Sequence, residues 1–426
     1  MTSINNWLQK LYVAYPDKTE RIVYLLIFLF PIAGMSVRHW ITNIFNLLVL
    51  IGLFTLRKPH TTPIHKEEKI FLWICATYFT TFLISAFTND WGQAQTYYLG
   101  TELRFLLVIP LYLLVRRYPD CSIWFLRGAV VSGFILLGQA YFDVYIMGYS
   151  TARGIYSKNL MGPFAVLVTF WCIYYFWDNL KKFKLPSLFL IIFAIVAALF
   201  TVTLSGSRGS YVGLVVTAFF SIMFFSKPRW MAASVLITMM AVFLFYQNLN
   251  IIKKGVDKAI VEVQQYINAE DHVNSVSSRS SAGIRLEMIR TGFLIIKDNP
   301  LTGIGPGNYN QAIKKYINEK KVYGAVGFHT NPHNTFIEVA TAKGIIGLLT
   351  VLLLFYYPVY IYIRDYKTYK STAILGLIHI IAISTFSLTD HSIIVKNNYS
   401  SILLLGIAIF LSAHIQEYKN TSSLHS

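Results

Sequence analysis

Four short segments hold side chains suited to chemistry. The first, Ser205 to Ser210, reads SGSRGS. Glycines on both sides of Arg208 let the backbone turn tightly, and the small hydroxyl residues leave room for a ligand. Arg208 is the segment's only charge, and a guanidinium can donate two parallel hydrogen bonds to a phosphate. An arginine at a membrane interface also snorkels to lipid headgroups, so the residue alone leaves both uses open. The second segment carries Arg285 and Arg290 on one expected helix. Together they suit a pyrophosphate; with Glu287 between them they equally suit a solvated charged face.

The third segment, FHTNPHNTFIEVATAKGIIGLL, runs from Phe328 to Leu349. Asn331 followed by Pro332 reads as a helix N-cap with proline at the first helical position. His333 is then expected in the first turn of a helix that runs down into the membrane. The positive end of the helix dipole and nearby arginines disfavour an imidazolium there, leaving a neutral ring able to accept a proton. A capping or packing histidine is the alternative. The fourth segment, LTDHSI, holds Asp390 and His391, suited to orienting a base, to holding a sugar hydroxyl, or to a wetted helix end. Weaker candidates are Arg153 and Asn159 in ARGIYSKNLMG, and Glu102 and Arg104, which lie two residues apart on a helix and so do not face each other. GIGPGN lacks the Lys-Ser/Thr ending and the preceding strand of a nucleotide-binding P-loop.

The elements that must position these residues are membrane spans. The chain of 426 residues is 55% hydrophobic and only 13% charged, about half the charge usual in soluble proteins, and its mean hydropathy is +0.51. Its apolar blocks are long enough to cross a bilayer. Spans are expected near 22–37, 40–56, 69–87, 99–115, 122–146, 160–178, 186–204, 210–225, 229–249, 336–363, 372–389 and 399–415. This is an all-α polytopic membrane protein of about twelve helices, dividing into a bundle over 1–249, a helical loop over 250–335 and a last bundle over 336–426. The net charge of +17 does not point to nucleic acid, because the Lys and Arg residues punctuate the apolar blocks as topology signals and anionic-lipid contacts do. With the N-terminus inside, the short inside segments hold eighteen Lys and Arg, and the short outside loops hold five. The positive-inside rule therefore puts both termini in the cytoplasm and the long loop outside. No cleaved signal peptide is expected. Cys75, Cys121 and Cys172 show neither a metal spacing nor a disulfide framework.

Within the long loop, residues 251–272 have amphipathic spacing suited to the membrane surface. NSVSSRSSAG is a polar break. A second helix from Ile284 stops before Pro300. LTGIGPGNYN is a glycine-rich turn, with a further short helix expected after it.

Taken together, these segments resemble the O-antigen ligase family, within the superfamily of bacterial O-antigen ligases and polymerases. The family pattern is His-Asn/Ser/Gln, nine residues, Gly, two residues, then Gly, Thr or Tyr. Here it is His333-Asn334, Thr335 to Lys343, Gly344, Ile345, Ile346 and Gly347. SGSRGS is similar to the family's Ser-Arg-Gly stretch, IRLEMIRTGFLIIKDNPLTGIGPGNY to its arginine-led helix and glycine turn, and GIYSKNLMGPFAVL to its Asn-containing span entry. The resemblance covers residues 150–350 by motif and the whole chain by layout of spans.

It implies a GT-C-like glycosyltransferase of the cell inner membrane, inverting and independent of metal or other cofactor. Its site would face the periplasm. The implied reaction of lipopolysaccharide biosynthesis moves an O-antigen glycan from undecaprenyl pyrophosphate to lipid A-core. Arg208 and Arg285 would neutralise the pyrophosphate, and His333 would act as base or position the acceptor. Arg290, Arg153, Asn159, Asn334, Asp390 and His391 are the expected substrate contacts. An O-antigen polymerase, using the same donor and a lipid-linked acceptor, is the nearest alternative. A transporter or flippase of lipid-linked sugars is the second, although no internal repeat supports it.

Overall fold

The computed structural model describes residues 17–56, 63–226, 250–269, 276–389 and 397–422, with isolated helical positions at 229, 232 and 236. No strand occurs among the described residues. The helices are α1 (Lys18–Leu29), α2 (Trp40–Thr55), α3 (Lys66–Thr88), α4 (Gln93–Arg117), α5 (Cys121–Tyr141, continued by a π-turn over Phe142–Ile146), α6 (Lys158–Asn179) and α7 (Leu185–Ser205). They continue with α8 (Arg208–Phe225), α9 (Asn250–Ile267), α10 (Ser281–Asp298), α11 (Tyr309–Asn318), α12 (Thr335–Asp365), α13 (Lys370–Thr389) and α14 (Asn397–Ser422).

Nine of the described helices are long and apolar enough to cross a membrane, and Trp40–Thr55 is a shorter apolar helix. The chain is thus an all-α polytopic membrane protein. The span expected at 229–249 lies largely outside the described residues. The first expected span stops early as a helix: α1 ends at Leu29 and a run of turns carries the chain from Phe30 to α2. The long segment contains the expected helices, α9, α10 and α11, and α10 ends at Asp298 just ahead of Pro300.

Long-range contacts fix which helix ends lie together. Thr42 at the start of α2 donates to Asn398 at the start of α14 (3.1 Å). At the opposite end Arg364 of α12 pairs with Glu67 of α3 (2.9 Å), and Gln416 of α14 donates to the Arg116 carbonyl of α4 (2.7 Å). The core is one continuous apolar cluster in which Phe45, Phe105, Phe125, Trp171 and Tyr362 are all fully buried. α14 is buried along almost its whole span and packs on α4 and α13. By contrast α7 leaves Phe189, Leu190, Phe193 and Val196 exposed. An apolar side chain on an outward face costs nothing where the surroundings are lipid. The three cysteines are buried and unpaired.

Candidate active site

Gly206 takes the left-handed conformation (φ +58°) that ends α7, a position that favours glycine because no Cβ clashes there. The chain then turns through Ser207 directly into α8, so Arg208 is the first residue of that helix. Lys158 opens α6 and Ser281 opens α10 in the same way. The three helix starts meet around one cavity of about 240 Å³, whose wall includes Lys158, Asn159, Ser207, Arg208, Ser281, Arg285, Thr389 and Tyr399. Ser207 also donates to Asn159 (3.4 Å).

Three cations therefore share one wall, and no Asp or Glu stands among its described residues. Helix N-termini carry partial positive charge and unsatisfied amides. Three of them beside three cations form a site suited to a multiply charged anion such as a pyrophosphate. Like charges gathered without counter-charge repel one another, so the arrangement costs stability until an anion enters.

The structure thus joins Asn159, Arg208 and Arg285 across more than a hundred residues of chain. Lys158, not singled out from the sequence, belongs with them; there it reads as an ordinary outside-loop cation. The other expected contacts sit differently. Arg290, on α10 with Arg285, is committed to its own helix: its guanidinium holds both oxygens of Glu287 (2.7 and 3.0 Å) and the Lys321 carbonyl (2.6 Å). Burial works to raise the Glu287 carboxyl. Hydrogen bonds from Arg290, Tyr266 and the Tyr323 amide outweigh that and hold it below its ordinary value. Arg153 is exposed and lies over the Tyr149 ring (3.5 Å), outside the cavity wall. Asp390 and His391 lie outside the described residues.

His333 does not occupy the first turn of α12. Asn334, three residues beyond the expected cap, takes that role, its side chain accepting from the amides of Phe336 (3.0 Å) and Ile337 (3.1 Å). Asn331 instead accepts from the His333 amide (3.2 Å), closing a turn across Pro332. That turn leaves His333 in the left-handed region (φ +51°), which histidine tolerates better than most residues. With two asparagines three apart, the one that bonds the following amides starts the helix. His333 therefore precedes the helix, half-buried, with its ring 5.8 Å from that of His329. Burial and then His333 hold His329 below the usual imidazole value. Asn334 also donates to the Leu388 carbonyl (3.2 Å), tying the His333 turn to the residue next to Thr389 in the cavity wall.

A clasp fixes this turn relative to α10. Gly344 breaks α12 with φ +66° and ψ −165°, and the break frees carbonyls that the glycine turn takes up. Ile304 donates to Thr341 (2.9 Å), Gly305 to Ala342 (3.0 Å), and Ile345 donates back to Pro300 (2.8 Å). A Cβ on Gly344 would stand 2.0 Å from the Leu301 carbonyl oxygen. Two segments that look independent in the sequence, LTGIGPGN and the glycine after the nine-residue spacer, are thus two halves of one joint. Beside it lies a pair that sequence reasoning missed. Lys343, the last spacer residue, bonds Glu102 of α4 at 2.7 Å, the two side chains being 1% and 0% exposed. Glu102 pairs with Lys343 and not with Arg104, whose guanidinium bonds the Gly100 carbonyl (3.1 Å).

Among the described residues no three His, Cys, Asp or Glu side chains gather as a metal-holding group. Comparison with known proteins adds a family match over part of the chain. Residues 193–352 match the family model described as O-Antigen ligase. The chain is also similar to an uncharacterized protein of Haemophilus influenzae, 26% identical over 362 residues, which cover 83% of this chain and 88% of that protein. The matched span contains Arg208, Arg285, His333 and the whole Gly344 joint.

Proposed function

We propose that the chain is an O-antigen ligase, transferring a glycan from undecaprenyl pyrophosphate to lipid A-core with inversion at the anomeric carbon. One observation carries the reading: Lys158, Arg208 and Arg285 share a cavity wall that holds no carboxylate among its described residues. In this reaction the bond from the anomeric carbon to the pyrophosphate oxygen breaks, and charge builds on the leaving group. Preorganised cations and helix N-termini stabilise that charge where it develops. The acceptor hydroxyl forms the new bond from the opposite face and gives its proton to the His333 imidazole. Asn159 supplies a neutral hydrogen-bonding group beside the donor, and Asn334, as the cap of α12, positions the turn that carries the base.

In the membrane, both termini face the cytoplasm and the cavity faces the periplasm. The charge asymmetry of the short loops supports that orientation, and thiol labelling of single cysteines introduced at Ser281 and at Lys182 tests it. The loop segment acts as the frame that carries Arg285 to Arg208.

A polymerase would use the same donor site, so the acceptor decides between the two. The test is transfer from a synthetic undecaprenyl-pyrophosphate glycan to purified lipid A-core by the purified protein. Wild type transfers, and Arg208→Ala, Arg285→Ala and His333→Ala each lose about 10²-fold or more. Near-normal transfer by all three variants overturns the site assignment. Transfer only to a second lipid-linked glycan makes the protein a polymerase.

A further inference from the structure

A second cavity, of about 620 Å³, lies at the other end of the bundle, between the start of α5, the end of α6, the start of α13 and the end of α14. We propose that it binds the headgroup of a phospholipid carrying a primary ammonium, of the phosphoethanolamine type. This reading stands apart from the transfer reaction, since α6 alone separates the two cavities by about 30 Å.

The volume is in the range of built ligand sites, about 300–1,000 Å³. Its floor is apolar and deeply buried, with Leu375 and Phe410 at 3% and 1% exposure. Its rim holds two cations and two carboxylates, Arg127, Lys182, Asp178 and Glu417. The carboxylates are fixed in place: Ser371 donates to Asp178 Oδ1 (2.6 Å), the mostly exposed Lys182 pairs with its Oδ2 (3.1 Å), and Thr372 donates to Glu417 (2.6 Å). Tyr174 bonds Ser371 in turn (2.9 Å). Arg127 lies over the Trp124 ring (4.8 Å), and no ion pair among the described residues engages it.

This balance contrasts with the first cavity, where three cations stand together. A net-neutral rim matches a zwitterion better than an anion. The phosphate would meet Arg127, and the ammonium, with three donors, would meet the held carboxylates. A trimethylammonium has no N–H to donate, which separates ethanolamine from choline. The position suits a lipid: the cavity lies at the ends of spans, beside exposed Ile123 and Leu180, where aromatic and basic residues meet headgroups.

The test is native mass spectrometry of the full purified chain with equal amounts of phosphatidylethanolamine, phosphatidylglycerol and phosphatidylcholine of identical acyl chains. The ethanolamine lipid is expected to be retained over both others, and Arg127→Gln and Asp178→Asn should each cut its adduct about tenfold. Arg208→Ala should leave it unchanged. Equal retention of the three lipids, preference for phosphatidylglycerol, or an ethanolamine-lipid adduct undiminished by Arg127→Gln overturns the proposal. The wild-type lipid comparison decides by itself if Asp178→Asn fails to fold.

Discussion

Lys343 and Glu102 meet at 2.7 Å with side chains 1% and 0% exposed. Arg208 is exposed and Arg285 half-buried, and among the described residues neither has a carboxylate partner. The two groups use their charges in opposite ways. A charge taken out of water inside a membrane span is costly unless it is paired at once, so the Lys343–Glu102 pair holds α12 against α4 and lies buried out of a ligand's reach. The cavity cations keep their hydrogen-bonding capacity, and this is what an anionic substrate needs. The difference also explains why Arg285 and Arg290, five residues apart on α10, should respond differently to substitution.

The largest expected effect is on the paired side. Lys343→Met or Glu102→Gln alone leaves a buried partner uncompensated and should destabilise the protein by about 3–5 kcal/mol. Thermal unfolding in detergent would show this as a lowered midpoint. Lys343→Met combined with Glu102→Met should recover most of it, because an apolar pair of similar size replaces an ion pair with little loss. A double variant as unstable as the singles would mean that the charges do more than hold the helices.

Gly344→Ala should come next. Its Cβ would strike the Leu301 carbonyl and the backbone conformation is strained for any L-residue, costing about 1–3 kcal/mol before relaxation. Hydrogen exchange is the better readout: the amides of Ile304, Gly305 and Ile345 should lose protection while those of α6 keep theirs. Unchanged protection at those three amides would break the clasp.

The smallest effect concerns Glu287. Its folded-state value is depressed, so its contribution is full above the ordinary carboxyl value of 4.5 and is lost as pH falls below it. The unfolding midpoint of wild type should therefore drop on acidification through that range, and that of Glu287→Gln should start lower and drop less. Parallel pH profiles for the two proteins would sink this account of Arg290.

Local patterns in the sequence carried much of the architecture. The apolar block expected at 69–87 is the helix Lys66–Thr88, and the expected stop before Pro300 is the end of α10. These features depend on neighbours along the chain. The site was legible as separate arginines, because SGSRGS announces a turn by composition, but their meeting was not, since it depends on how α6, α8 and α10 converge. Lys343 was invisible for the same reason: its partner is 241 residues away and it sits inside a nine-residue spacer of no fixed chemistry. The helix start at Asn334 was misplaced at Asn331 because the Asn-Pro pair suits a cap as well as a turn. Only the hydrogen bonds of the following amides decide.

The central claim is that the cavity cations bind a pyrophosphate and are not part of the scaffold. Binding of undecaprenyl pyrophosphate to wild type, Arg208→Ala and Arg285→Ala, with the unfolding midpoint of each ligand-free protein recorded beside it, tests this most directly. The account predicts affinity weakened about tenfold or more in each variant, as for a lost charge-assisted hydrogen bond, with midpoints equal to or above that of wild type. Unchanged affinity, or midpoints that fall as far as that of Lys343→Met, would contradict it.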